Sequence, residues 1–249
     1  MPPLFYAVAF AVSLIGAVIQ AVCGFGYGPL NMSLLPYLFP YAQAVALSGL
    51  CGSTTSVFVL ASSFRYIRWK TLLPCVVTAM IFAPLSVQLS VGTADGFMVH
   101  SLGAMLIVLG VYSIFFSDRI RIKPTLFNGA AAGTLAGVLS GLFAVGGPPI
   151  ALYMLAATDT NDAYRATLSA QFCITACVTT FTRWRNGAFT AATVHAYALM
   201  LASLLIGAWI GGENFPPPRS QAFAADRLRL SDRFGDPDAF QVREKSFSA

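Results

Sequence analysis

The sequence predicts an all-α fold: a polytopic transmembrane helical bundle of about seven spans in two homologous repeats, with Gly/Pro-broken half-helices and a truncated second repeat. Three observations predict it. Of 249 residues, 57% are hydrophobic and 10% are charged, with a mean hydropathy of +0.70. Soluble domains average about 25% charged residues, so the expected solvent is lipid. Long apolar runs recur along the chain. Two of them end in similar interruptions, "CGFGYGPL" at 23–30 and "GLFAVGGPPI" at 141–150. Glycine and proline are poor helix-interior residues, so two such breaks about 120 residues apart read as a repeated device.

A membrane-spanning helix needs about 20 mostly apolar residues. The stretches 4–22, 43–63, 71–92, 97–116, 124–143, 165–182 and 190–212 meet that requirement. No Lys or Arg precedes Arg65, so the first run lacks the basic start of a signal peptide and reads as a retained span. The apolar pieces 30–39 and 149–157 follow the breaks. At about 1.5 Å of rise per residue they are too short to span, and read as half-helices or re-entrant segments.

The repeat shows in the register. Gly26 and Gly146, Pro29 and Pro149, and Leu30 and Ile150 correspond, while "VALS" at 45–48 faces "ATLS" at 166–169. Residues 1–116 form a first transmembrane repeat, 117–123 a basic cytoplasmic linker, and 124–212 an incomplete second repeat. The missing span falls near 217–236, which is too polar to cross a bilayer. Residues 213–249, with six basic and six acidic side chains, read as a polar, disordered tail. It is either an extension outside the membrane or a departure from an eight-span pattern.

The basic residues cluster in short loops: "FRYIRWK" at 64–70, "DRIRIK" at 118–123 and "RWRNG" at 183–187. The connections between them are nearly free of Lys and Arg. Counting two spans between successive basic loops puts all three on one side, cytoplasmic by the positive-inside rule, with the N-terminus there too. The net charge of +5 thus resides in loops and does not argue for nucleic acid. The five cysteines contain no CxxC pair and read as packing residues, so no metal is expected. There is no HExxH, no GxSxG and no pair of intramembrane aspartates, and "GFGYG" at 24–28 follows no strand. The chain is not expected to be an enzyme or to carry a cofactor.

Irregular backbone survives in hydrocarbon only where it is buried in protein or lines a cavity. In secondary transporters, broken helices from two repeats meet near the midplane and present free N–H groups to an anion. Gly24, Gly26, Gly28, Gly146 and Gly147 suit that close approach, and Pro29, Pro148 and Pro149 suit the first turn of a following half-helix. The competing reading is close helix packing through small residues.

"GFGYGPL", followed by "AVALS" and a basic loop, then "SGLFAVGGPPIALYMLA" and "YRATLSAQF", resembles the TauE/SafE family of sulfite and organosulfonate transporters over roughly residues 4–212. The resemblance implies a bacterial inner-membrane, multi-pass permease for a small sulfur-containing anion. Its partners would be the lipid bilayer and that anion, with protons an open choice of coupling ion. The alternative is a non-transporting or truncated relative acting as a structural or regulatory partner. Arg165 either attracts the anion or snorkels at the interface. Asn31 and Gln171, like Gln20 and Ser48, either donate to sulfonate oxygens or bond between helices. His195 and His100 are either proton sites or interfacial.

Overall fold

The computed structural model describes residues 3–115 and 124–214. The linker and, from residue 215 on, the polar tail therefore lie outside the described residues. The helices are α1 (Pro3–Cys23), α2 (Tyr27–Met32), α3 (Leu35–Leu38), α4 (Tyr41–Ser63), α5 (Trp69–Ser90), α6 (Asp95–Phe115), α7 (Leu126–Phe143), α8 (Gly147–Ala157), α9 (Asn161–Arg185) and α10 (Ala191–Asn214). A 3-10 turn over Phe64–Tyr66 joins α4 to α5. No strand occurs among the described residues.

Each of the seven expected spans corresponds to a helix: α1, α4, α5, α6, α7, α9 and α10. Four of these contain segments long and apolar enough to cross a membrane alone: Tyr41–Ala61, Trp69–Ser90, Leu126–Phe143 and Thr193–Gly211. Ala7–Val22 and Asp95–Val111 are shorter apolar stretches. The span expected at 165–182 is a helix of a different kind. It buries Thr167, Ser169, Gln171, Thr175, Thr179, Thr182 and Arg183 against its neighbours. A helix this polar belongs at the centre of a bundle, screened from lipid. The half-helix expected at 149–157 is α8, and the one expected at 30–39 divides into α2 and α3.

Close approach of α5 and α7 organises one side of the molecule. Gly129, Gly133, Gly137 and Gly141 recur every fourth residue along α7, and all four are buried. A Cβ on Gly137 would stand 2.9 Å from Ala79 Cα, and one on Gly141 2.7 Å from Ser86 Cβ. The hydroxyl of Thr78 donates across this contact to Ala130 O at 3.0 Å. On the other side α10 sets Gly207 and Gly211 against α1, where added Cβ atoms would lie 2.8 Å from Leu14 O and Val18 O respectively. Small residues allow this approach, and interhelical hydrogen bonds reinforce it.

Each break reverses the chain. Gly129 of α7 faces Pro74 near the start of α5, and Gly141 faces Ser86 near its end, so α5 and α7 run parallel. The hydroxyl of Tyr153 on α8 reaches back to Thr125 O at 3.4 Å, which makes α7–α8 a re-entrant hairpin. Its far end, Asp159, meets Arg68 of the α4–α5 loop at 3.3 Å, and Arg68 N–H donates to Thr167 Oγ1 at 3.0 Å. The α8–α9 connection therefore shares an end with the basic loop. The Tyr27 hydroxyl of α2 lies 2.8 Å from Ser13 Oγ on α1, the mark of a second hairpin.

These reversals correct the loop count. Arg165, at the start of α9, donates to Ala21 O at the end of α1, so α1 ends at the basic end and begins at the opposite one. The 183–187 turn also lies at the opposite end, where Arg183 meets Ser140 and Gly141 and where Tyr41 N–H donates to Asp95 Oδ2 at 3.2 Å. The expectation that the N-terminus and "RWRNG" share a side with "FRYIRWK" fails for a physical reason. Treating each break as a pause in one direction omits a reversal from every hairpin.

The packing order is reciprocal. The α1–α2–α3 hairpin belongs to a half whose α5 packs on α7, while the α7–α8 hairpin belongs to a half whose α10 packs on α1. Helices α4 and α9 cross between them, with Gly49 facing Arg183.

Candidate anion site

The two breaks meet. A Cβ on Gly28 would collide with Ala144 O, and one on Gly147 would lie 2.9 Å from Phe25 Cβ, so neither position has room for a side chain. Local geometry needs special residues as well. Gly26, which precedes α2, has φ 121°, and Ala144, which ends α7, is left-handed at φ 55°.

Between the breaks lies a cavity of about 80 Å³, room for an ion of a few heavy atoms. The first break contributes Phe25, Gly26, Gly28 and Pro29, and the second Ala144, Val145, Gly146 and Gly147. Crossing helices close it with Ser48, Gly49, Gly52 and Ser53 from α4 and Thr175, Thr179 and Arg183 from α9. Among the described residues, the N–H groups of Gly26, Gly28, Gly146 and Gly147 make no hydrogen bond. Four backbone donors thus border one small space. Ser48 is 2% exposed, and its Oγ has no partner either. A buried polar group without a partner costs about 1–3 kcal/mol, so these donors are free to bind water or a ligand.

Charge comes from Arg183, which is 5% exposed. Its Nη2 donates to Ser140 O at 2.7 Å and to Gly141 O at 2.9 Å, at the end of α7. Its Nη1 points toward Gly49, 3.1 Å from where a Cβ would stand. No carboxylate lies within ion-pair distance of it among the described residues, whose one ion pair is the exposed Arg68–Asp159 contact. A buried cation without a counter-ion is costly, and this one borders the cavity.

Of the residues singled out in the sequence, Gly26, Gly28, Pro29, Gly146 and Gly147 line the cavity, while Gly24, Asn31, Pro148, Pro149, Arg165 and Gln171 do not. Gly24, at φ 80°, packs on Leu168 and Tyr164. Asn31 Nδ2 donates to Tyr27 O at 3.1 Å and fills the space beside Gly16. Gln171 Nε2 donates to Thr175 Oγ1 at 3.2 Å. Arg165 Nη2 caps the end of α1 through Ala21 O at 2.8 Å. Gln20 and Ser48, weighed as polar candidates, both face the cavity. His100 and His195 are exposed and bond the carbonyls of Gly96 and Ala191 within their own helices. Sequence reasoning missed Arg183 by counting it as a loop residue. The signal available was the four-residue spacing of Thr175, Thr179 and Arg183, a polar stripe on one helix face.

Comparison with known proteins gives the family. The family model for the sulfite exporter TauE/SafE matches residues 9–215. A relative described as a probable sulfite/organosulfonate exporter TauE, from Cupriavidus necator, is 24% identical over 213 residues, covering 83% of this chain and 82% of its own. No solved structure matches this chain. With most of its length matched and both breaks inside the match, the chain is a membrane transport protein that belongs to the TauE/SafE sulfite exporter family.

Proposed function

We propose that this protein is a permease for small anions in the bacterial inner membrane, with sulfite or an organosulfonate as cargo moving outward. The observation that carries the reading is the meeting of both breaks at one cavity, lined by four glycines whose N–H groups have no partner and by one cation without a counter-ion. The name of the C. necator relative supports the choice of cargo and direction. Transport follows from movement of the two hairpins against α4 and α9, which exposes the cavity to alternate sides. By the positive-inside rule the end bearing Arg65, Arg68 and Lys70 faces the cytoplasm, and α1 begins outside. Neither histidine reaches the cavity, so the reading routes no proton through one.

Flux of sulfite and methanesulfonate in proteoliposomes tests the proposal. Saturable flux is expected from the wild type and loss of flux from Gly147→Leu, whose side chain would press on Phe25. Absence of flux from folded, monodisperse protein over a broad anion panel would return the non-transporting alternative to first place.

A further inference from the structure

We infer that the cavity selects singly charged anions over doubly charged ones, and that Arg183 sets this preference. The inference rests on the transport reading above and specifies the charge of the cargo.

The charges around the cavity can be counted. A helix N-terminus carries roughly +0.5 of an elementary charge and a C-terminus roughly −0.5. The second break brings the end of α7, at Phe143, beside the start of α8, at Gly147. The first brings the end of α1, at Cys23, beside the start of α2, at Tyr27. To first order the opposite ends of α7 and α8 cancel, and the six-residue α2 adds no positive charge beyond what the end of α1 offsets. The helix ends therefore supply directional N–H donors and little net charge. Arg183 is the one ionisable residue that lines the cavity among those described, so the site holds one positive charge.

The groups packed around that charge do not alter the count. From α4, Tyr41 is the titratable neighbour, and its hydroxyl donates to Leu142 O at 2.8 Å. Asp95 of α6 lies behind it, accepting from Tyr41 N–H. Helix α7 offers Arg183 the carbonyls of Ser140 and Gly141, and α9 contributes Thr179 to the same cavity. A monoanion neutralises the guanidinium, whereas a dianion leaves a net negative charge in a small, low-dielectric space, which is costly.

The test uses the purified full chain in detergent, with apparent affinity read from the anion-dependent rise of the thermal unfolding midpoint. Methanesulfonate is a monoanion throughout the working pH range, sulfate is a dianion, and sulfite passes from monoanion to dianion near neutrality. Expected results are that sulfate binds at least about tenfold more weakly than methanesulfonate, and that sulfite weakens as pH rises while methanesulfonate does not. Arg183→Gln should lose binding of both monoanions, and Arg183→Lys should keep the preference. Should Arg183→Gln fail to fold, the Lys variant and the wild-type pH series still decide.

Sulfate binding as tightly as methanesulfonate, sulfite tightening as it becomes a dianion, or Arg183→Gln binding like wild type would overturn the inference and leave the transport reading standing. Failure of the folded wild type to bind any anion overturns both.

Discussion

Ser48 and Arg183 bury polarity that the fold alone does not satisfy, at the cavity proposed to hold the cargo. Ser48 buries a hydroxyl with no partner, and Arg183 buries a charge with no counter-ion. Ser48→Ala removes the orphaned group, so the ligand-free protein is expected to gain about 1 kcal/mol of stability. The same variant should transport less well, because one donor to the anion is gone. A thermal melt paired with a flux assay checks both signs; a variant that melts lower would show that Ser48 is satisfied in the fold. At this scale the site was half legible. Gly26, Gly28, Pro29, Gly146 and Gly147 announce themselves because backbone approach leaves a compositional mark. Arg183 does not, because "RWR" places a buried arginine two residues from an exposed one, and only the turn of the helix distinguishes Arg183 from Arg185. Arg165 is the converse case, an arginine in a suggestive place that is used to cap α1.

At the level of elements, α7 owes its place to a surface without side chains. Gly133→Ala would drive a Cβ into Cys75 O, and is expected to cost about 1–3 kcal/mol through overpacking. Gly103 and Gly110 on α6 meet nothing within 4 Å, and Gly103→Ala should be neutral or stabilising by about 0.5–1 kcal/mol. Unfolding midpoints of the two variants compare a packed with an unpacked glycine in the same molecule. Equal effects would show that the α5–α7 seam is looser than its geometry implies. The spans were legible as lengths of apolar chain, and every one is a helix. The division of 30–39 into α2 and α3 went unread, although Pro36 in the first turn of α3 marks a helix start just after Ser33–Leu34. The character of α9 was also hidden. Read as a span over 165–182, it has no window apolar enough to cross a membrane, and packing shows that its threonines and glutamine face other helices.

For the whole molecule, the two hairpins run in opposite directions, one opening from each end. The repeat was visible in the register of Gly26 with Gly146, but its inversion was not, because sequence similarity has no direction relative to a membrane. Labelling resolves that direction. In a background without native cysteines, Lys70→Cys is expected to react with an impermeant thiol reagent from the cytoplasm alone, and Asn186→Cys from outside alone. Both positions are exposed and lie at opposite ends. Reaction of both from one side would restore the simple loop count.

The polarity of α9 also bears on how the protein is made. A newly synthesised segment enters lipid by its own hydropathy, and α9 has no stretch apolar enough to do so. It stays in the bilayer only if α4, α5 and α7 have already assembled a surface to receive its threonines and arginine. The helix that brings the cavity its charge is thus expected to arrive late, admitted by its neighbours rather than by the membrane.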